Sequence, residues 1–75
     1  MSLVTQAFVF EKYGPRLNVT ALAELLNISP STLHNLRSAG TFPIPTYRDG
    51  GKVFADYRDV AEHFDKLRES ARTGA

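Results

Sequence analysis

The apolar residues of this chain recur mostly at helical spacing, and the clearest stripe lies near the C-terminal end. The stripe consists of Tyr57, Val60, Ala61, Phe64 and Leu67. Asp56 precedes it as an N-cap, since its carboxylate can accept a hydrogen bond from a free amide of the first turn. Asp59 lies in that turn, where the helix dipole favours negative charge. An amphipathic helix is therefore predicted to begin after Asp56.

A first helix is predicted over Leu3–Tyr13, because Gly14 favours a left-handed helix end and Pro15 cannot continue a helix. Its apolar residues surround most of the helix: Leu3, Val4, Phe8, Val9, Phe10 and Tyr13. A small domain cannot cover all of them, so part of this helix is expected to contact another chain. Two alternatives stay open: the segment packs under the domain edge, or residues 8–10 form a short strand.

Two shorter helices are predicted in the middle of the chain. Thr20 is a suitable N-cap for the first, and Leu22, Leu25 and Leu26 follow at helical spacing. Residues 27–28 then form a tight turn.

The second of these helices begins with a Ser-Pro pair and ends at a glycine. Ser29 offers an N-cap hydroxyl, and Pro30 occupies the first helical position, where a missing N–H costs nothing. Leu33 and Leu36 form the inner face, and Gly40 stops the helix.

The pattern changes after residue 41. Residues 42–45 carry two prolines and are predicted to be extended, whereas residues 46–48 and 52–54 flank Asp-Gly-Gly at residues 49–51. Such a turn tolerates positive φ and predicts a two-stranded hairpin. The expected fold is mainly α with a small β-hairpin.

The predicted organisation is a single folded domain with two extensions. A helix over residues 1–16 precedes the domain at residues 17–69, and residues 70–75 form a flexible tail. A chain of 75 residues has little room for a second domain or for a large catalytic cleft.

Composition excludes several functional classes. The chain has no cysteine, so disulfides, thiolate nucleophiles and cysteine zinc sites cannot form. His34 and His63 lie on separate predicted helices, and neither paired carboxylates nor a Ser/His/Asp set is recognisable. We expect no metal, no cofactor and no enzymatic activity.

No basic leader followed by a long apolar run is present, and no stretch approaches the roughly 20 apolar residues that span a bilayer. A soluble, cytoplasmic protein without a membrane partner is expected. The net charge is only +1, but residues 29–55 carry three bases, Arg37, Arg48 and Lys52, against the single acid Asp49. Any basic surface is therefore predicted in the middle of the chain.

Two short helices joined by a tight turn are organised as in a helix-turn-helix, whose second helix enters the major groove of DNA. Residues 30–39 form the predicted recognition helix. Its outer face is polar and free of acids, and the residues expected to contact bases are Ser31, Thr32, His34, Asn35 and Ser38. Arg37 is expected to reach a phosphate.

The alternative is that this face is only solvated. Ser and Asn are poor helix formers compared with Glu, Lys or Ala, and a solvated face is more stable with the latter. The hairpin over residues 46–54 is the predicted wing, with Arg48 and Lys52 on a phosphate backbone or in the minor groove. Its alternative is an ordinary solubilising hairpin tip.

Residues 17–67 resemble the excisionase-like and AlpA-like winged helix domains of the MerR superfamily. The resemblance is carried by Val-Thr-Ala-Leu-Ala-Glu-Leu-Leu at residues 19–26, Ile-Ser-Pro-Ser-Thr-Leu at residues 28–33, Gly-Thr-Phe-Pro at residues 40–43, Gly-Gly-Lys at residues 50–52, and Asp59-Val60 leading to Phe64.

The resemblance implies a small prophage or plasmid protein that binds double-stranded DNA as an excisionase or a transcriptional regulator. It also implies an integrase as a partner. Self-association on DNA, as a dimer or a cooperative array, is expected instead from the apolar first helix. The family's own arrangement does not carry over, because residues 1–16 extend beyond its minimal domain. Three positions depart from the family pattern: His34 and Asn35 replace an aromatic and a basic residue, and Phe64 replaces a tryptophan. The base preference of the family therefore does not carry over. The competing class is a protein-interaction adaptor of the same fold without DNA binding.

Overall fold

The computed structural model describes residues 3–72. In chain order they form α1 (Leu3–Tyr13), β1 (Arg16–Asn18), α2 (Val19–Leu26), α3 (Pro30–Ser38), β2 (Tyr47–Asp49), β3 (Lys52–Asp56) and α4 (Tyr57–Arg72). The protein is mainly helical with a small antiparallel sheet, as the sequence predicts. Residues 1–2 and 73–75, which include half of the predicted tail at residues 70–75, lie outside the described residues.

The sheet has three strands in the order β1-β3-β2, one more than predicted. β1 pairs with β3 so that Leu17 lies opposite Ala55, and both are buried. β2 and β3 are joined by Gly50 and Gly51, whose φ values of 60° and 81° are those of a two-residue type I′ hairpin turn. The hairpin thus covers residues 47–56, whereas the predicted wing covers residues 46–54. The strand β1 was missed because its three residues are too few to show a periodicity.

The predicted N-cap of α2 is wrong by two residues. Asn18, at the end of β1, has extended backbone angles, and its side-chain oxygen accepts a hydrogen bond from the amide of Ala21 at 2.8 Å. Asn is as good an N-cap as Thr, so the helix begins where the strand ends. Thr20 lies inside the first turn, which leaves its exposed side chain available for another role.

The predicted ends of α3 are confirmed. Ser29 caps the helix by accepting from the amide of Thr32, with Pro30 at its start, and Gly40 follows its end with φ of 73°. Beyond it, the chain bends at residues 43–44 instead of remaining extended, because Ile44 turns inward and is buried.

One hydrophobic core lies between the helices and the inner face of the sheet. Its members come from α1, α2, α3, α4, β1, β3 and the segment before β2: Val9, Leu17, Leu22, Ala23, Leu33, Ile44, Ala55, Val60 and Ala61. Leu33 is fully buried and fixes α3 to this core, whereas Leu36 is only half-buried. The outer side of α3 is left to solvent.

Helix α1 packs against α4 through one side. Val9 is buried, the hydroxyl of Thr5 donates to Asp65 at 3.0 Å, and the ring of Phe10 meets Tyr57 edge-on at 4.9 Å. The strand alternative for residues 8–10 is wrong, and packing at the domain edge covers only part of the helix. Leu3, Val4, Phe8 and Phe10 remain exposed.

Helix α4 continues through Arg72, so residues 70–72 belong to the helix and not to a tail. Its polar outer face and its buried Val60 and Ala61 agree with the predicted amphipathic pattern. Leu67, predicted on the same apolar stripe, is instead 52% exposed, because α4 extends beyond the core there. No helix within residues 3–72 has the length and apolar character required to cross a membrane.

Stability should fall as the pH drops from about 7 to about 5.5. Burial, and then the charge of Lys66, lower the pKa of His63, so below its ordinary pKa the unfolded chain binds more protons than the folded one. Arg58 also lowers the pKa of Asp56, but that contribution disappears only below about pH 4. Thermal unfolding by circular dichroism should show a smaller fall for His63→Gln, and an equal fall would contradict this assignment.

Candidate functional site

The outer face of α3 presents a row of compact polar side chains. Ser31, His34, Asn35 and Ser38 are all exposed, as the helical spacing predicts. Within residues 3–72, none of these four side chains forms a hydrogen bond to a neighbouring element. The face therefore offers hydroxyl, imidazole and amide groups to a ligand without first breaking an internal contact.

Thr32 is exposed as predicted but takes part in the helix cap. Its hydroxyl lies 2.9 Å from the Ser29 hydroxyl, which also accepts from the Thr32 amide at 3.1 Å. The side chain is thus oriented at the N-terminal end of α3. If the Thr32 hydroxyl also contacts a ligand, it serves the ligand and the Ser29 cap at the same time.

Arg37 differs from the other members of the predicted set because it is half-buried. Its Nε donates to the hydroxyl of Thr46 at 3.0 Å, which ties α3 to the segment that enters β2. A guanidinium has five N–H donors, so this bond leaves four of them for other partners. Arg37 both positions the hairpin against α3 and lines the cleft described next.

A surface cleft of about 380 Å³ separates α3 from the hairpin and the start of α2. It brings together four of the residues predicted from the sequence, His34, Arg37, Arg48 and Lys52. These come from α3 and from both strands of the hairpin. Residues far apart in the chain thus form a basic concave surface beside the exposed row on α3.

Five further residues line this cleft: Asn18, Val19, Thr20, Gly51 and Val53. Sequence reasoning assigned Thr20 to a cap and missed its position at the cleft. The available signal was Asn18, an equally good N-cap two residues earlier, which places Thr20 in the first turn. Near that turn, the leading amide groups and the Thr20 hydroxyl are donors of the kind that bind anions.

Arg48 and Lys52 occupy alternate faces of the hairpin. Arg48 lies opposite Val53, on the side that faces the core, whereas Lys52 lies opposite Asp49 on the outer side. The two cations therefore lie next to the turn, Arg48 on the core-facing side of the hairpin and Lys52 on its outer side. This placement agrees with the prediction that they lie on either side of the hairpin tip.

Asp49, the single acid of this region, is held by Arg16. The Nη1 atom of Arg16 donates to Asp49 at 2.6 Å, and this hydrogen bond raises the pKa of Arg16. The pair offsets the negative charge beside Lys52. It also fastens the hairpin tip to β1, a contact that sequence reasoning missed because the two residues are 33 positions apart.

Arg16 also stacks on an aromatic ring of the outer sheet face. Its guanidinium carbon lies 3.7 Å from the centre of the Phe54 ring, and Phe54 lies 6.2 Å from Tyr47. A guanidinium above an aromatic face is attracted by the ring quadrupole. The hydrogen bond and the stack together tie the hairpin to β1.

Residues 3–72 contain no group of three or more His, Asp or Glu side chains that could hold a metal ion. Likewise, every buried side-chain nitrogen or oxygen described there has a hydrogen-bond partner. The site is thus a surface of exposed polar and basic groups.

No protein-family model matches this sequence, and neither a curated protein nor a solved structure matches it. The resemblance to excisionase-like domains therefore stays a prediction.

Proposed function

We propose that this chain is a winged helix-turn-helix protein that binds double-stranded DNA sequence-specifically and has no catalytic activity. The observation that supports the proposal is the cleft, where Arg37, Arg48 and Lys52 meet beside the acid-free outer face of α3. None of the described residues that line it carries a carboxylate. Double-stranded DNA fits such a surface, because its backbone is a polyanion and its grooves expose the edges of the bases.

In this proposal α3 is the recognition helix. An α-helix with its side chains is about 10–12 Å across, and the major groove of B-DNA is about 12 Å wide, so a helix such as the nine-residue α3 fits into it. Short side chains let the helix approach base edges closely. Asn35 is suited to a bidentate contact with adenine, while Ser31, His34 and Ser38 offer single donors or acceptors.

The hairpin serves as the wing. Arg48 and Lys52 flank its tip and contact backbone phosphates or enter the adjacent minor groove. Arg37 and the first turn of α2 add donors to a phosphate at the cleft between the wing and α3. The Arg16–Asp49 pair holds the wing in position before DNA arrives, which reduces the entropy lost on binding.

Within this class, we propose the role of an excisionase, a transcriptional regulator or both, as the resemblance over residues 17–67 suggests. The two roles are separated by deleting the protein from a cell that carries the element. Loss of excision at normal integrase levels supports recombination, whereas unchanged excision with altered transcription supports regulation alone.

The first test is a gel-shift titration of the full chain on random genomic fragments at several salt concentrations, with sequencing of the bound fraction. Enrichment of fragments that share short repeats, with affinity that falls as salt rises, is expected. Binding that is absent at micromolar protein would overturn the proposal and favour the adaptor alternative.

Asn35→Ala should relax discrimination at one base position by about 1 to 3 kcal/mol. Asn35 is exposed on the outer face of α3, so the change removes an amide without disturbing the core. Affinities for all single-base variants of the selected site provide the measurement. Glu69→Ala, an exposed change on α4, is the control and should preserve the profile. A uniform loss across all variants would show that Asn35 contacts only the backbone.

A further inference from the structure

The side of α1 that faces away from the domain is apolar. Val9 is buried, and the residues on the opposite side of the helix are exposed. At about 100° per residue, these share one broad face, which we name the α1 outer face: Leu3, Val4, Ala7, Phe8, Phe10 and Glu11. Phe10 lies at the edge of this face, where its ring also meets Tyr57 of α4. Glu11 is its only charged member.

The exposure of this face is large for a helix of 11 residues. Leu3 and Val4 are each 79% exposed, Phe8 57% and Phe10 47%. These four side chains present on the order of 450 Å² to solvent, comparable to the largest apolar patches of monomers, which are often functional. Burial of such a face would contribute favourable free energy that the isolated chain does not gain.

We propose that the α1 outer face binds the same face of a second copy, with the two α1 helices antiparallel. This inference goes beyond DNA binding and does not depend on it. Ala7 lies at the centre of the face, and its small side chain lets two helix backbones approach closely. A two-fold axis at Ala7 places Phe8 beside its counterpart, so the surface is complementary to itself.

Charge favours the antiparallel arrangement over the parallel one. About an axis at Ala7, Glu11 lies next to Leu3 of the second copy, in the first turn of its α1. The N-terminal end of a helix attracts negative charge, so each glutamate is stabilised there. Parallel helices would instead bring the two Glu11 carboxylates together near the negative ends of both dipoles.

The area predicts a weak dimer. Two such faces bury about 900 Å² in total, at the low end for specific interfaces, where association is transient. We therefore expect a dissociation constant in the micromolar to millimolar range. The two domains of such a dimer would then contact two half-sites of a DNA repeat. Binding of the first domain raises the effective concentration of the second near its half-site, so the dimer binds more tightly than a single domain.

The test is sedimentation equilibrium of the full chain without DNA, from about 5 µM to about 1 mM. A monomer–dimer equilibrium is expected. Phe8→Glu should weaken it about 100-fold, because a symmetric interface contains every substitution twice. Tyr47→Glu is the matched control: it also replaces an exposed aromatic by a carboxylate, but on the outer sheet face, and should leave dimerisation unchanged.

Circular dichroism of each variant checks that the fold is retained, as expected for exposed positions. Glu11→Lys provides a second variant that removes no apolar contact and should weaken the antiparallel dimer at least about fivefold. A chain that stays monomeric over the whole range, or a dimer insensitive to both α1 variants, overturns the proposal. Either result leaves DNA binding intact, since the gel-shift titration measures it separately.

Discussion

Replacing Leu33 by alanine should lower the free energy of unfolding by about 3 kcal/mol. Leu33 is completely buried and is the residue through which α3 joins the core. Its truncation removes apolar contacts and leaves a cavity that a small domain fills poorly. Domains of this size have about 4 to 11 kcal/mol of stability, so the loss is a large fraction of the total.

Urea denaturation followed by circular dichroism measures this effect, with Leu36→Ala as the control on the same helix. Leu36 is half-buried, and its truncation should cost about 1 kcal/mol. Equal losses at the two positions would contradict the proposed orientation of α3. That result would also remove the basis for assigning its outer face to DNA.

The double variant Arg48→Ala with Lys52→Ala should bind DNA about 100-fold more weakly. Each cation is expected to contact one phosphate, so the slope of log affinity against log salt should decrease in magnitude by about two. Both residues are exposed, so the fold should be retained. Gel-shift titrations at several salt concentrations measure the affinity and the slope together.

The matched control for this variant is Lys66→Ala with Arg68→Ala, which removes the same charge from exposed positions of α4. Its slope should stay close to that of the unchanged protein, because α4 lies outside the cleft. Normal DNA binding by the Arg48→Ala, Lys52→Ala variant would show that the wing does not contact the phosphates. If the unchanged protein itself does not bind DNA, the adaptor function is favoured.

Local chemistry in the sequence determined the four helices, the ends of α3 and the hairpin turn, but not the start of α2 or the end of α4. Ser29 and Pro30 begin α3, Gly40 follows its end, and Gly50 and Gly51 adopt the positive φ that their type allows. These features depend on residues a few positions apart, which is why they are visible in the chain. The exposed row on α3 follows directly from the helical period once Leu33 is placed inside.

Only the tertiary structure decided which residues share a site. The strand β1, the Arg16–Asp49 bond and the position of Thr20 at the cleft depend on pairings between distant segments. The sequence predicted Arg37 on the recognition helix separately from Arg48 and Lys52 on the wing, and packing of α3 and the hairpin against one core made the three neighbours at the cleft. The apolar excess of α1 was visible in the sequence, whereas the side left exposed was set by the packing of Val9 against the core.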